Sequence, residues 1–455
     1  MRDLTYERAH EAILGNLTRP GPFYFLVAFL LGCGVLVGAL CWRYQILTGI
    51  GVGGQNNPVA WGIYLVLFVF WVGIAHSGTL ISAILYLFRA RFRTAVARSA
   101  EAMTVFAVTT AGFFPLIHLG RIWVVHYMIP FPNQRYLWPN FNSPLMFDMV
   151  AISTYLTVSS MFWFTGLLPD LAAVRDRSSG LRRRIYGLFS LGWRNDQRNW
   201  RHHMRAYLFF AALATPLVIS VHSVVSWDFA LSVVPGWHST IFAPYFVAGA
   251  IHSGLAMVIT LLIPLRKVQR LEAIITIDIF EKLAKLIILT GLIVGYAYGF
   301  EYFIARYSGN PFEIDIFNFR AAGAFAVPFW IMVGCNALVP LLFFVKKIRR
   351  SIPWLLGVSI LINVGMYYER YVIIISSVAH DFIPYAWGSY APSPIEMGIG
   401  LGAFCWFFLL FWLFVRFLPT VAVAEIKEQL PPPVKEERVR GSGIRPRLPT
   451  PGGKG

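Results

Sequence analysis

Charge is scarce in this sequence. Only 13% of its 455 residues are charged, while 57% are hydrophobic and 16% aromatic. A soluble domain carries about a quarter charged residues, so this composition excludes an ordinary soluble enzyme and a disordered chain. Cysteine is scarce too. Cys33, Cys41, Cys335 and Cys405 all fall inside apolar runs, with no CxxC or CxxCH. That spacing argues against iron–sulfur clusters, c-type haem or structural zinc held by this chain, and no metal site is expected. The four thiols read as small apolar packing groups. The opening "MRDLTYERAHEAILGNLTRPGP" lacks the basic-then-apolar order of a signal peptide. Its "YERAHEAIL" predicts a short surface helix. Acidic residues number 22 against 39 Lys and Arg, a net charge of +17. The basic residues sit in short clusters between apolar runs, which is a topology signal and not a nucleic-acid patch.

What the chain has in abundance is long apolar runs. Ten are long enough to cross a bilayer, which takes about 20 residues each. They lie near 23–42, 58–88, 98–128, 144–168, 203–233, 240–264, 275–305, 321–345, 353–376 and 396–418. The predicted fold is an all-α polytopic membrane protein. The clusters "RARFR", "RSSGLRRR", "RKVQR" and "KKIRR" alternate with nearly uncharged loops, so the positive-inside rule puts both termini in the cytoplasm. A bacterial plasma membrane is the expected location. The basic, Pro/Gly-rich tail after Pro431 reads as disordered and able to touch anionic lipid or a partner subunit.

Two stretches repeat. "GIAHSG" (73–78) and "GAIHSG" (249–254) each lie about 20 Å before a basic loop. Helices 2–5 and 6–9 therefore look like a duplicated four-helix bundle in parallel orientation, flanked by helices 1 and 10. The expected divisions are 1–22 (N-terminal segment), 23–57 (helix 1 and its loop), 58–235 (first bundle), 236–376 (second bundle), 377–418 (loop and helix 10) and 419–455 (tail). Within the repeat, Gly allows close helix approach, and His and Ser hydrogen-bond across helices. His76 and His252 suit either that structural role or proton handling.

The bundles differ in their polar residues. His118 near the outer end of helix 3, Asp148 in the first turns of helix 4 and Asp228 near the outer end of helix 5 converge on one depth. Intramembrane carboxyls are costly and usually face a cavity or proton route. Arg121, three residues after His118, is expected on the same helix face. A histidine and two aspartates in an apolar pocket suit quinol chemistry, in which two protons accompany two electrons. Phe113, Phe114, Trp123, Tyr127 and Trp227 offer aromatic walls, and Ser77 a further hydroxyl. The chain itself shows no redox centre, so electrons must pass to another subunit.

"NVGMYYERYVIII" (363–375), with Glu369–Arg370, "GIAHSGTLISAILYLFR" and "HLGRIW" resemble the NrfD/polysulfide reductase membrane-anchor family. The resemblance spans roughly residues 20–420. Ten helices with a long tail look most like the quinol-oxidising membrane subunit of bacterial alternative complex III (ActC type). By that resemblance the substrate is a quinol such as menaquinol, and the site lies near the periplasmic side with His118, Asp148 and Asp228 as its polar residues. The chain would bind no haem. Its partners would be an iron–sulfur subunit on the periplasmic face, multihaem cytochromes of the c type and a homologous membrane subunit (ActF type).

The second bundle offers Asp278, Lys285, Asn336, Asn363, Tyr296, Tyr298, Glu301, Glu369 and Arg370, which form either a proton path or paired helix glue. Asp278 with Lys282, and Glu281 with Lys285, are spaced as i,i+4 ion pairs. The loops 130–142 and 380–394, rich in aromatics and proline, suit a docking surface. Three other readings stay open: a di-haem anchor using His76, His118, His222 and His252, a secondary transporter, and an anchor without a quinol site.

Overall fold

The computed structural model describes residues 5–17, 21–128 and 144–430. The loop expected at 130–142 and the basic tail lie outside the described residues. Among the described residues, ten helices are long and apolar enough to cross a membrane. Numbered in chain order, they are α1 (Pro22–Thr48), α2 (Ile63–Leu87), α3 (Ala97–His118), α4 (Pro144–Asp176), α5 (Gln197–Ala230), α6 (Phe242–Val268), α7 (Ile277–Tyr307), α8 (Ala326–Phe344), α9 (Ile352–Ala379) and α10 (Pro394–Phe417). Proline stands in the first turn of α1, α9 and α10, where its missing N–H goes unnoticed. α10 also opens on a capping box between Ser393 and Glu396.

Helices α2, α3, α4 and α5 close into one ring, and α6, α7, α8 and α9 into another. The rings meet where α6 packs on α2 and α5, and α9 on α2. At this seam the repeated stretches touch. Gly254 of α6 faces the Ser77 hydroxyl so closely that a Cβ there would overlap it, while a Cβ at Gly73 of α2 would lie 3.6 Å from Ser253 Oγ. Glycine at 254 thus lets α6 approach Ser77 of α2, while the Gly73 side would accept a Cβ in ordinary contact.

α1 stands at the edge and is held by α10. Gly38 and Gly402 meet backbone to backbone: a Cβ on either would come within 2.6 Å of the other's Cα. Gly34 abuts Cys405 and Gly398 abuts Cys41, so glycines four residues apart on each helix form the contact. Most of the remaining surface of α1 is exposed apolar side chain, including Phe25, Phe29 and Leu36.

α3 is shorter than its apolar run. It ends at His118, and Gly120 at φ +68° turns the chain into a tighter helical turn over Ile122–Met128. Arg121 is therefore exposed and off the helix, not on the face of His118 as its spacing predicted. α4 runs on to Asp176, past the end of its apolar run at 168.

Candidate functional site

At the end of the first ring away from the basic loops, α4 begins and α5 ends side by side. Asp148 and Asp228 are both buried there, 6% and 9% exposed, and their carboxyl groups neighbour each other. One oxygen of each has no hydrogen-bond partner among the described residues. Two adjacent carboxyls in apolar surroundings can hold one shared proton and exchange it as a unit. His118, the last residue of α3, is half-buried, and its Nδ1 is likewise unpartnered. It lies on the neighbour of α4, and no described hydrogen bond ties it to either aspartate. Trp227 is largely exposed, facing away from its buried neighbour Asp228. Ser77 is not part of this cluster: its hydroxyl donates to the Ile74 carbonyl (3.3 Å) at the α2–α6 crossing. Phe113 packs on Trp42 and Trp406, toward α1 and α10.

Deeper in, a polar seam joins the rings. His76 stacks on Tyr155 with centroids 4.8 Å apart and contacts His222 at 4.5 Å. The Tyr155 hydroxyl donates to the Ala75 carbonyl (2.9 Å) and lies 2.8 Å from Thr79 Oγ1. His222 also contacts Phe246, and the Arg370 guanidinium lies 4.6 Å from that ring's centroid. Arg370 pairs with Glu369, which accepts from Tyr298; Asn336 donates to the Tyr298 hydroxyl at 2.9 Å. His76 Nε2, both nitrogens of His222 and Arg370 Nη2 have no described partner. Buried polar groups left open in this way call for internal water. The ring contact also bears on the di-haem reading. His76 and His222 touch, so no porphyrin plane fits between them, and His252 turns instead to Thr290 on α7 (2.8 Å). Among the described residues, no group of three or more His, Cys, Asp or Glu is placed to hold a metal ion.

Charge pattern by itself did not reveal the cluster at the basic end of the first ring. Arg98 bonds Glu101 (2.7 Å) and Asp170 (3.1 Å), and Tyr207 donates to Glu101 (2.6 Å). The C-terminal helix Val423–Gln429 closes over it: Val423 N–H donates to Asp170, and Glu425 pairs with Arg93 at 3.2 Å. One turn above Glu101, Thr104 donates to the Ala75 carbonyl (2.9 Å), close to Tyr155 and His76. Arg98 and Glu101, spaced i,i+3, were the only sequence signal for this group.

In the second ring the geometry corrects one pairing. Asp278 bonds Arg350 (2.8 Å), not Lys282, which lies over the Phe92 ring instead. The loop after α8 folds back, so Arg349 and Arg350 outreach the helix's own lysine. Glu281 takes Arg349, Arg350 and, as its spacing predicted, Lys285 (3.4 Å). Tyr298, Asn336, Glu369 and Arg370 form one connected group, as just described. Asn363 is apart from it, bonded to Thr260 and the Ser359 carbonyl. Glu301 is buried with Oε1 open, whereas Tyr296 is exposed on the outer surface of α7.

With ten apolar helices among the described residues and buried ionisable groups at three depths, the chain is a multi-pass membrane protein. The chain belongs to the polysulphide reductase NrfD family, whose model matches residues 51–384. It is 26% identical over 443 residues to a putative dimethyl sulfoxide reductase membrane subunit from Halobacterium salinarum, covering 90% of this chain and 94% of that protein. It is also 23% identical over 419 residues to a subunit of the selenate reductase of Mesobacillus selenatarsenatis, covering 87% and 93%. The chain is thus a multi-pass membrane protein of this family, and both relatives are reductase subunits.

Proposed function

We propose that the chain oxidises a quinol, such as menaquinol, between α3, α4 and α5 near the outer face of a bacterial plasma membrane. The observation that carries this is the buried Asp148–Asp228 pair, with half-buried His118 on the neighbouring helix α3, each with an open polar atom. A quinol loses two protons and two electrons on becoming a quinone. The carboxyl pair and His118 accept the protons and hand them to the outer solution. The electrons leave the chain for a docked iron–sulfur subunit. The outer loop 380–394 suits that partner: Tyr385 and Ile383 project from it, while His380 stacks on Trp387 (3.8 Å) and Phe319 (4.2 Å) to hold its shape.

Assignment to an alternative complex III, with a sister membrane subunit and multihaem cytochromes, rests on the sequence resemblance. The relatives, subunits of dimethyl sulfoxide and selenate reductases, support a quinol-linked complex more generally. The seam from Glu101 through Thr104, Tyr155, His76 and His222 to Arg370 and Glu369 supports proton movement coupled to that oxidation. The test is photo-labelling of the intact complex with an azidoquinone. Label on peptides of α3–α5 near Asp148 supports the site; label confined to α6–α9 overturns it.

A further inference from the structure

On the outside of the first ring, at the basic end, lies a groove of about 840 Å³ that none of the chemistry above uses. It runs along α4 from Leu171 to Ser160, roughly 16 Å at 1.5 Å per residue. Trp163, Phe164 and Leu167 form its long wall, and Val105 of α3 its back. The opposite wall is the helix Gly180–Phe189, through Ile185 and Phe189. Its cations are confined to the mouth: Arg182 of that helix and Arg416 from the end of α10. No Asp, Glu or His lines the groove among the described residues.

The helix Gly180–Phe189 shows how the mouth is oriented. Leu181, Ile185, Leu188 and Phe189 are exposed at i, i+4, i+7 and i+8, an apolar stripe, while Arg183 and Arg184 occupy other faces. This is the pattern of a helix lying in the headgroup layer with its apolar side in the acyl region. Arg182 lies with its guanidinium 5.5 Å from the Tyr186 ring centroid. The Tyr186 hydroxyl donates to the Phe417 carbonyl, and Arg416 donates to the Leu17 carbonyl, so both mouth walls are fixed. The groove is therefore cationic at the membrane surface and apolar along a length that matches one acyl chain.

We infer that this groove binds an anionic phospholipid of the cytoplasmic leaflet, with its phosphate at Arg182 and Arg416 and an acyl chain laid along α4 toward Ser160. A quinone headgroup would find no carboxyl or imidazole there to exchange protons with. The lipid fills the space between α4, α10 and the interfacial helix, and so braces the connection from α4 to α5.

The test uses the complex reconstituted into nanodiscs holding equal phosphatidylglycerol and phosphatidylcholine, then extracted in mild detergent. Native mass spectrometry reads the lipid retained. Phosphatidylglycerol should be retained over phosphatidylcholine, and Arg182→Gln should lower that retention about fivefold while Arg182→Lys restores most of it. Ser160→Phe, which blocks the far end of the groove, should reduce retention of phosphatidylglycerol without altering complex assembly. Equal retention of both lipids overturns the proposal, as does an unchanged Arg182→Gln variant. So does a retained quinone that Ser160→Phe displaces.

Discussion

The imidazole rings of His76 and His222 lie 4.5 Å apart between centroids, deep in the first ring and one side chain away from Arg370 of the second. Neither nitrogen of His222 has a described hydrogen-bond partner. His222→Phe removes a buried imidazole and keeps a ring beside Phe246. The fold should therefore hold, with stability changed by less than about 1 kcal/mol. If His222 carries protons between the rings, the variant should keep quinol turnover but lower the proton-to-electron ratio in vesicles. A wild-type ratio would remove His222 from the path.

Glu369 and Arg370 form an ion pair that is 0–1% exposed. Removing one partner strands the other charge in an apolar interior, which costs about 3–5 kcal/mol. Glu369→Gln and Arg370→Met should each lower the thermal stability of the complex sharply, and the double variant should recover much of the loss. Additive losses in that double-mutant cycle would show that the two side chains act independently.

At the edge of the molecule, Gly402→Ile should detach α1 from α10, because any Cβ there meets Gly38 Cα at 2.6 Å. The expected result is loss of α1 protection from a membrane-phase cross-linker, with the two rings intact. Unchanged protection would mean that α1 is held by other contacts.

The helix Val423–Gln429 is tied to the N-terminal helix Tyr6–Leu14 where Lys427 Nζ donates to His10 Nδ1 at 3.1 Å. Burial, then the Lys427 and Arg177 charges, lower the His10 pKa from 6.5 to about 4. A group whose pKa falls on folding stabilises the docked form above its unfolded value. That contribution is complete above pH 6.5 and is lost as pH falls toward 4. A spin label at exposed Glu428 should become more mobile across that window in the wild type. In His10→Gln the change should flatten, and a transition confined to pH above 7 would contradict the account.

Depth along the membrane was legible in the sequence; direction around each helix was not. Apolar length marked all ten spans, and the basic loops set a common side, so Asp148 and Asp228 could be placed at one level before any contact was known. Both glycines of the repeated His-Ser-Gly sit at close helix contacts, Gly254 against Ser77 and Gly78 against Thr104 and Ala100 of α3. What escaped was azimuth. Tyr296 and Tyr298 are two residues apart on α7, yet one faces outward and the other bonds Glu369. Arg121 looked like a helical neighbour of His118 because nothing in an apolar run announces that Gly120 will adopt a positive φ. His222 drew notice only as a haem ligand, since its meeting with His76 depends on how α5 is rotated against α2.

The central claim is that Asp148, Asp228 and His118 take the protons of a quinol whose electrons pass to a docked subunit, and steady-state quinol-to-acceptor turnover by the purified complex tests it most directly. Asp148→Asn, Asp228→Asn and His118→Ala, each checked for full assembly, should lower turnover about a hundredfold or more, the usual worth of a general base. Fully assembled variants that turn over quinol at the wild-type rate would contradict the account.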